Sequence, residues 1–549
     1  MSRRPYDAKL SQRTYHVLYG VIACALVLMT GYLAVRVTTV LTDPRTSTAD
    51  AAMAVLLLGA ELFLCMHGVG FYRHLVNCGR RQARSTSGLF SRHVRPPVAV
   101  LVAAFDEPEY VLDETLAAVR AMDYPVSIYL LDDSTNPDRR DGAERVAGRY
   151  GARFVHRTDR TGYKAGAINE LIPQLTETYI ALLDADQRPS ATWLSEMVAY
   201  LEEDPRVAFV QTPQRYANTE GLPVCETCRY EQSIFYEYIC EGKSLSNAAA
   251  CCGSNCVLRR EALLSIATVR NGRTNYFDET SVTEDFVTTV LLHMKGWRTE
   301  YVNNLYVVGM GPETLPAYFT QQARWAMGTM SYTRRIIPDF LRNPRAMRPA
   351  QWWEHWLVST FYYVGWAQFI FILAPIAFAA ADVQAIRTFS QWSWLFFLPY
   401  FACALGLFFF GMRLRGYPVR RMWLATALSF ATFWVYMKAA VVATFGLRRA
   451  FRVTPKGVGG AIPLKSLWME LTMFVGCVTT SGWCIYGAIT SAGAPAFAYA
   501  VNGIWATYHA ALLAPLFFYF NKRVTVRPRP SLFQPYGVAE GATSTRAPA

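Results

Sequence analysis

The chain has 549 residues, 52% of them hydrophobic and 17% charged, with a formal net charge of +13. That length exceeds one compact core and suits two or three domains, and the composition leans toward a membrane protein. Its Lys and Arg form no long runs and sit beside apolar segments, which argues against a nucleic-acid partner and for basic flanks on a lipid bilayer.

A basic start (Arg3, Arg4, Lys9, Arg13) leads into an apolar stretch at 17–35 with no small-residue cleavage site, so the first helix reads as an anchor rather than a signal peptide. Segments of spanning length follow at about 51–72, 354–380, 392–412, 466–490 and 498–520, giving six crossings with the first at 17–37. Basic residues crowd the N-terminus, the segment after the second span (Arg73, Arg80, Arg81, Arg84, Arg92) and the one after the last (Lys522, Arg523, Arg527). By charge asymmetry both termini and the block between spans two and three are expected to be cytoplasmic. A further apolar stretch at 422–445 lies between two basic clusters, Arg413–Arg421 and Arg448–Lys456. A crossing there would put one cluster outside, so it is expected to lie in the interface. The organisation is thus 1–94 with two membrane helices and a linker, 95–345 as a cytosolic domain, 346–520 with four membrane helices, the interfacial helix and a loop at 448–464, and 521–549 as a flexible tail.

The 95–345 block alternates apolar runs with helical patterns. Runs at 98–104, 127–131 and 179–183 read as buried parallel strands, the second ending on Asp132 and Asp133 and the third on Asp184 and Asp186. Helical stretches at 114–122 and 165–175 separate them. The pattern predicts a doubly wound α/β sheet with its ligand at the carboxyl edge.

Asp184 and Asp186, alternate residues of an extended chain, point to one side and could share a ligand. Carboxylates holding a divalent cation that bridges two phosphates neutralise a diphosphate leaving group. Either acid pair alone could simply cap the next helix; two pairs at parallel strand ends favour a nucleotide-sugar site. Thr283-Glu284-Asp285 precedes another helix, where Thr283 could cap it or Asp285 could accept a proton from an attacking hydroxyl. Gln321-x-x-Arg324-Trp325 lies just before the third span, as an interfacial anchor or as a sugar-stacking indole beside a phosphate-pairing Arg. Cys225, Cys228, Cys240, Cys251, Cys252 and Cys256 are too loosely spaced for a zinc site and are expected to be packed, reduced thiols.

In this order, Asp132-Asp133, Asp184-x-Asp186, Thr283-Glu-Asp285 and Gln321-x-x-Arg-Trp325 resemble the processive family 2 glycosyltransferases, which include cellulose, chitin and hyaluronan synthases. The stretches Gln211-Thr-Pro213, Phe235-Tyr-Glu-x-x-x-Glu-Gly-Lys243, Cys252-Gly-Ser254 with Leu258-Arg-Arg260, and Phe451-x-Val453-Thr454-x-Lys456 look most like bacterial cellulose synthase catalytic subunits. The resemblance covers about residues 95–490 and implies a GT-A-like domain set in a membrane bundle. It implies that Phe105 and Glu107 hold the uridine, and that Asp132 or Asp133 with Lys164 completes the nucleotide pocket. Asp184 and Asp186 would bind Mg2+ or Mn2+ and the diphosphate. Asp285 would be the base within Thr283-Glu284-Asp285, Cys252 and Trp325 would frame the acceptor sugar, and Gln321 and Arg324 would hold acceptor and pyrophosphate. Phe451, Val453, Thr454 and Lys456 would form a gating loop over the UDP.

Cys251 stands where the family usually has Phe, Ser134 where it has Gly, and Gln322 where cellulose makers have Arg. These departures touch the sugar and linkage more than the chemistry. The tail after Phe520 is too short for the cyclic-di-GMP-binding barrel of bacterial cellulose synthase, so regulation of that kind is not expected. Aromatic and hydroxyl residues in spans three and five (Trp356, Tyr362, Tyr363, Trp366, Gln368, Thr472, Thr479, Thr480, Trp483) suit a sugar polymer sliding past, or lipid-interface packing. Glu61 in span two is either a pore residue or a partner for a neighbouring helix.

The expected activity is β-glucan synthesis, cellulose or a relative, from UDP-glucose in the inner (plasma) membrane, with the growing polysaccharide exported. A periplasmic accessory subunit is implied by resemblance. The competing readings are a chitin, poly-N-acetylglucosamine or hyaluronan-type synthase using UDP-N-acetylglucosamine, and a non-catalytic transporter or scaffold.

Overall fold

The computed structural model describes residues 12–42, 47–81, 95–270, 272–386, 391–447 and 460–523. Phe451, Val453, Thr454 and Lys456 lie outside them, as do most of the expected loop at 448–464 and nearly all of the tail.

The 95–345 region is built on a seven-stranded sheet. Its strands are β1 (Val98–Ala104), β2 (Val126–Asp132), β3 (Arg153–His156), β4 (Tyr179–Asp184), β5 (Val207–Gln211), β6 (Cys256–Arg259) and β7 (Arg298–Tyr301), in the spatial order β7-β5-β6-β4-β1-β2-β3. β1 is apolar throughout because both sheet faces are covered. Val98, Val100 and Val102 pack with Leu112, Leu116 and Val146 of the helices on one side. Ala99 and Leu101 pack with Ile168 and Leu171 on the other. From β1 the chain steps outward to β2 and β3, then returns to lay β4 on the opposite side of β1. That reversal opens a crevice at the carboxyl ends of β1 and β4, where α/β sheets take their ligands.

The sheet is mixed rather than all-parallel, because β6 runs antiparallel to both β4 and β5. Entering from the carboxyl edge, β6 drags the residues before it, Cys252 to Asn255, across the mouth of the crevice. A second difference from expectation concerns Asp184 and Asp186. β4 ends at Asp184 and the chain turns at Ala185–Asp186, with Gln187 N–H donating to Asp184 O at 3.0 Å, so strand alternation does not set the direction of Asp186.

Around this domain, the described residues include six helices long and apolar enough to cross a membrane: Thr14–Thr42, Thr48–Gly79, Pro349–Ala381, Leu395–Leu414, Leu464–Thr490 and Pro495–Phe520. The 422–445 stretch forms two helices, Val419–Phe430 and Phe433–Phe445, bent by 44° at the intervening residues. Glu61 is a partner for a neighbouring helix: it accepts from Tyr32 Oη at 2.8 Å and Arg36 Nε at 3.1 Å. In the hydrophobic zone such a pairing fixes the helices against each other.

The domain is tied to this bundle by a buried ionic knot. Glu237, on a π-helical turn at Phe235–Cys240, pairs with Arg215 and Arg415 and accepts from Tyr417. Glu241 pairs with Arg415 at 3.0 Å, and Arg415 also lies over the Tyr238 ring at 4.1 Å. Arg415 follows the helix Leu395–Leu414, so a membrane-side cation is sunk among the domain's acids.

Candidate active site

The crevice is walled on one side by the ends of β2 and β3. Asp132 accepts from Ser134 Oγ at 2.6 Å and lies 2.9 Å from His156 Nδ1. Asp133 takes a two-pronged bond from Arg157, at 2.9 and 2.6 Å. Both acids are buried and turned into these partners. Ser134, in place of the family's Gly, ties two loops by also accepting from the Asp106 N–H at 2.8 Å. Phe105 and Glu107 are half-buried at the end of β1. The Arg160 guanidinium lies 3.7 Å from the centre of the Phe105 ring, a cation–π platform that no sequence pattern singled out.

The opposite wall carries the charge. Lys164 Nζ is bonded to Asp184 Oδ1 and, at 2.8 Å, to the Gly253 carbonyl. Burial works against the ammonium, but Asp184, Glu284 and Asp285 outweigh it and raise its pKa. Glu284 and Asp285 open the helix Glu284–Met294, and each has its pKa raised, first by burial. Mutual repulsion adds to the rise at Glu284, and Lys164 opposes both shifts.

The Cys252–Asn255 loop joins these acids. Ser254 Oγ accepts from the Asp184 N–H at 2.9 Å. Gln211, fully buried, donates to the Ser254 carbonyl at 2.8 Å and accepts from the Cys252 N–H at 2.9 Å. Gly253 has φ +77°, and a Cβ there would stand 2.9 Å from Asp285 Oδ2. Any side chain is therefore strained by the backbone and collides with the carboxylate. Gly253→Ala is expected to cost about 1–2 kcal/mol of stability, read as a lowered Tm, and to cut turnover by displacing Asp285. Unchanged Tm and turnover would contradict this geometry.

Thr283 is the residue before the acidic helix but makes no capping bond through its side chain. Its methyl instead abuts Gly328 of the helix Leu315–Ser331, which also carries Gln321, Arg324 and Trp325, each half-buried. Gln322 is buried and accepts from Tyr436 Oη at 2.8 Å. The departure at 322 thus fastens the helix Leu315–Ser331 to the bent helix pair. At Cys251 the missing aromatic is replaced by a thiol 3.4 Å from the Cys256 thiol. Cys225 and Cys228 belong to a separate core beside Leu315 and Tyr318, so the short Cys pairs do not converge on one site.

The mixed sheet, the crevice at its switch point and the ring of acids define a GT-A-like nucleotide-sugar transferase domain. Residues 96–328 match the family model described as "Glycosyltransferase like family 2", and this region is a glycosyltransferase family 2 domain. The chain is 28% identical over 293 residues to the UDP-forming cellulose synthase catalytic subunit of Pseudomonas fluorescens, covering 52% of this chain and 37% of that one. It is 25% identical over 363 residues to cellulose synthase 2 of Novacetimonas hansenii, covering 64% of this chain and 21% of that one. The match therefore spans less than two fifths of the length of these relatives. Among solved structures, a mannosyltransferase from Pyrobaculum calidifontis in complex with GDP-Man and Mn2+ aligns with 72% of this chain and all of its own, at 18% identity and a TM-score of 0.47.

Proposed function

We propose that the chain is a processive, inverting glycosyltransferase that polymerises a β-glucan from UDP-glucose at the cytosolic face and passes it through its own helices. The observation that carries this reading is the gathering of Asp184, Glu284 and Asp285 around one ammonium, bridged by the Gly253 carbonyl. Relatives named as UDP-forming cellulose synthase catalytic subunits favour UDP-glucose as the donor.

In this reading Asp285 accepts the proton of the acceptor hydroxyl as that oxygen attacks the anomeric carbon. The new C–O bond forms while the bond to the diphosphate oxygen breaks, and the electron pair leaves with UDP. One displacement turns an α-linked donor into a β linkage. Cys252 and Trp325 frame the acceptor, Gln321 and Arg324 steady acceptor and pyrophosphate, and Phe105, Glu107 and Asp132 or Asp133 with Lys164 hold the nucleotide. Phe451, Val453, Thr454 and Lys456, which lie outside the described residues, contribute to UDP binding in this reading.

Asp184, Glu284 and Asp285 outnumber the one ammonium, so the donor set suits a hard divalent cation. Among the described residues no three His, Cys, Asp or Glu side chains already form a ligand array. Asp184 and Asp186 would hold Mg2+ or Mn2+, with its other ligands from diphosphate and water. When bound, the ion neutralises charge on the leaving diphosphate.

A base must be deprotonated to act, and burial raises the pKa of Asp285. Polymerisation should therefore fall as pH drops, with a midpoint above the ordinary carboxylate range of about 4; a pH–rate profile flat to that value would contradict the assignment. The direct test incubates membranes with radiolabelled UDP-sugars and a divalent metal. Polymer from UDP-glucose supports the proposal. Polymer from UDP-N-acetylglucosamine alone overturns the donor, and consumption of neither overturns the enzyme.

A further inference from the structure

Asp285 reaches the crevice on a stretch of chain with little structure of its own. Between the short strand Arg273–Asn275 and the helix Glu284–Met294, residues 276–283 form neither helix nor strand. Tyr276 and Phe277 are nonetheless buried, so their backbone N–H groups need acceptors. Both use the same one: Asn169 Oδ1 accepts from them at 3.0 and 2.9 Å. Asn169 Nδ2 donates to the Phe277 carbonyl and to Glu279 Oε1, each at 2.9 Å. Two donors face its oxygen and two acceptors face its nitrogen, a set that a carboxamide meets and a carboxylate does not.

Asn169 is 4% exposed and lies on the helix Tyr163–Leu171, which also carries Lys164. That helix is anchored independently. Ile168 and Leu171 lie in the core against the sheet, and Arg157, clamped to Asp133, donates to the Tyr163 carbonyl at 2.8 Å. The segment meets the same helix again at its start, where a Cβ on Gly162 would stand 2.7 Å from Glu279 Cγ. Of the two pieces that Asn169 joins, the helix is held by the core and the segment is held by the join.

We propose that Asn169 is a positioning residue, fastening the segment that delivers Asp285 to the helix that delivers Lys164. The inference rests on the transferase reading with Asp285 as base. Cutting the tie moves the acid and leaves the nucleotide pocket in place, and a displacement of about 1 Å at a reacting group costs about 10^2-fold in rate. Full-length protein in vesicles, given radiolabelled UDP-glucose, tests this, with UDP-binding sites counted by calorimetry so that any misfolded fraction drops out. Asn169→Ala should lose about 10^2-fold in turnover per UDP-binding site, with UDP affinity and the KM for UDP-glucose unchanged. UDP released per glucose polymerised should rise, because water competes better once the acceptor's base is displaced. Where Asn169→Ala fails to fold, Asn169→Asp carries the test: it keeps the acceptor for both N–H groups but sets a carboxylate against Glu279. Its turnover per site should fall, and adding Glu279→Gln, which supplies an amide donor, should restore most of it. Parental turnover per site and parental coupling in either single variant would make Asn169 structural only and overturn the proposal, leaving the transferase reading intact. Failure of the wild-type chain to release UDP from any UDP-sugar would overturn both.

Discussion

Asp285→Asn should abolish polymer synthesis and leave UDP binding unchanged. Asn keeps the shape of the side chain but cannot take a proton, and loss of a positioned general base costs about 10^2–10^4-fold in rate. Asp285 is packed against the Gly253 backbone and shares its pocket with Glu284, Asp184 and Lys164. Removing one charge from that crowd relieves repulsion, so the variant should fold and melt no lower than the parent. Turnover by UDP release, paired with UDP affinity by calorimetry, separates the outcomes. A variant with parental turnover would remove Asp285 from the role of base, and one that loses UDP affinity would place it in the donor pocket instead.

Arg415→Met should be the most destabilising single change outside the crevice. It strips a cation from Glu237 and Glu241, both buried, and breaking a buried ion pair from one side costs about 3–5 kcal/mol. Because Arg415 follows a membrane helix while its acids belong to the transferase domain, the loss should loosen the join between them. Thermal unfolding in detergent should show a clearly lowered Tm, with protease cutting near the 413–417 turn appearing first. A Tm within a degree of the parent would mean that Arg215 and Tyr417 at Glu237, and Asn303 at Glu241, satisfy the acids unaided.

Much of this architecture is legible in the residues themselves. The unbroken apolar run of β1 reads as a strand because both of its faces are covered, and six helices long and apolar enough to cross a membrane stand out because a bilayer demands length and apolarity together. The direction of β6 is not legible, since a run as short as Cys-Val-Leu-Arg carries no mark of which way it pairs. Its reversal is what carries Gly253 to Asp285. The turn after Asp184 is hidden for a similar reason: Ala-Asp-Gln fits strand or turn, and the Gln187–Asp184 bond decides it. Gln211 stood out only as part of a motif; its work, gripping the Cys252 loop at both ends, depends on β5 and β6 being neighbours. Arg160 over Phe105 unites residues far apart in sequence, and no periodicity announces it. Glu61 shows the reverse case, where a charge in an apolar span signals a partner and the partner is found one helix away.

The central claim is that this chain alone turns a UDP-sugar into a β-linked polymer. Purified protein in sealed vesicles, supplied outside with radiolabelled UDP-glucose and Mg2+ or Mn2+, tests it most directly when linkage analysis follows. The account predicts UDP release matched to labelled polymer, β-linked glucose throughout, lost on Asp285→Asn. UDP release without polymer, an α linkage, or no consumption of UDP-glucose would contradict it.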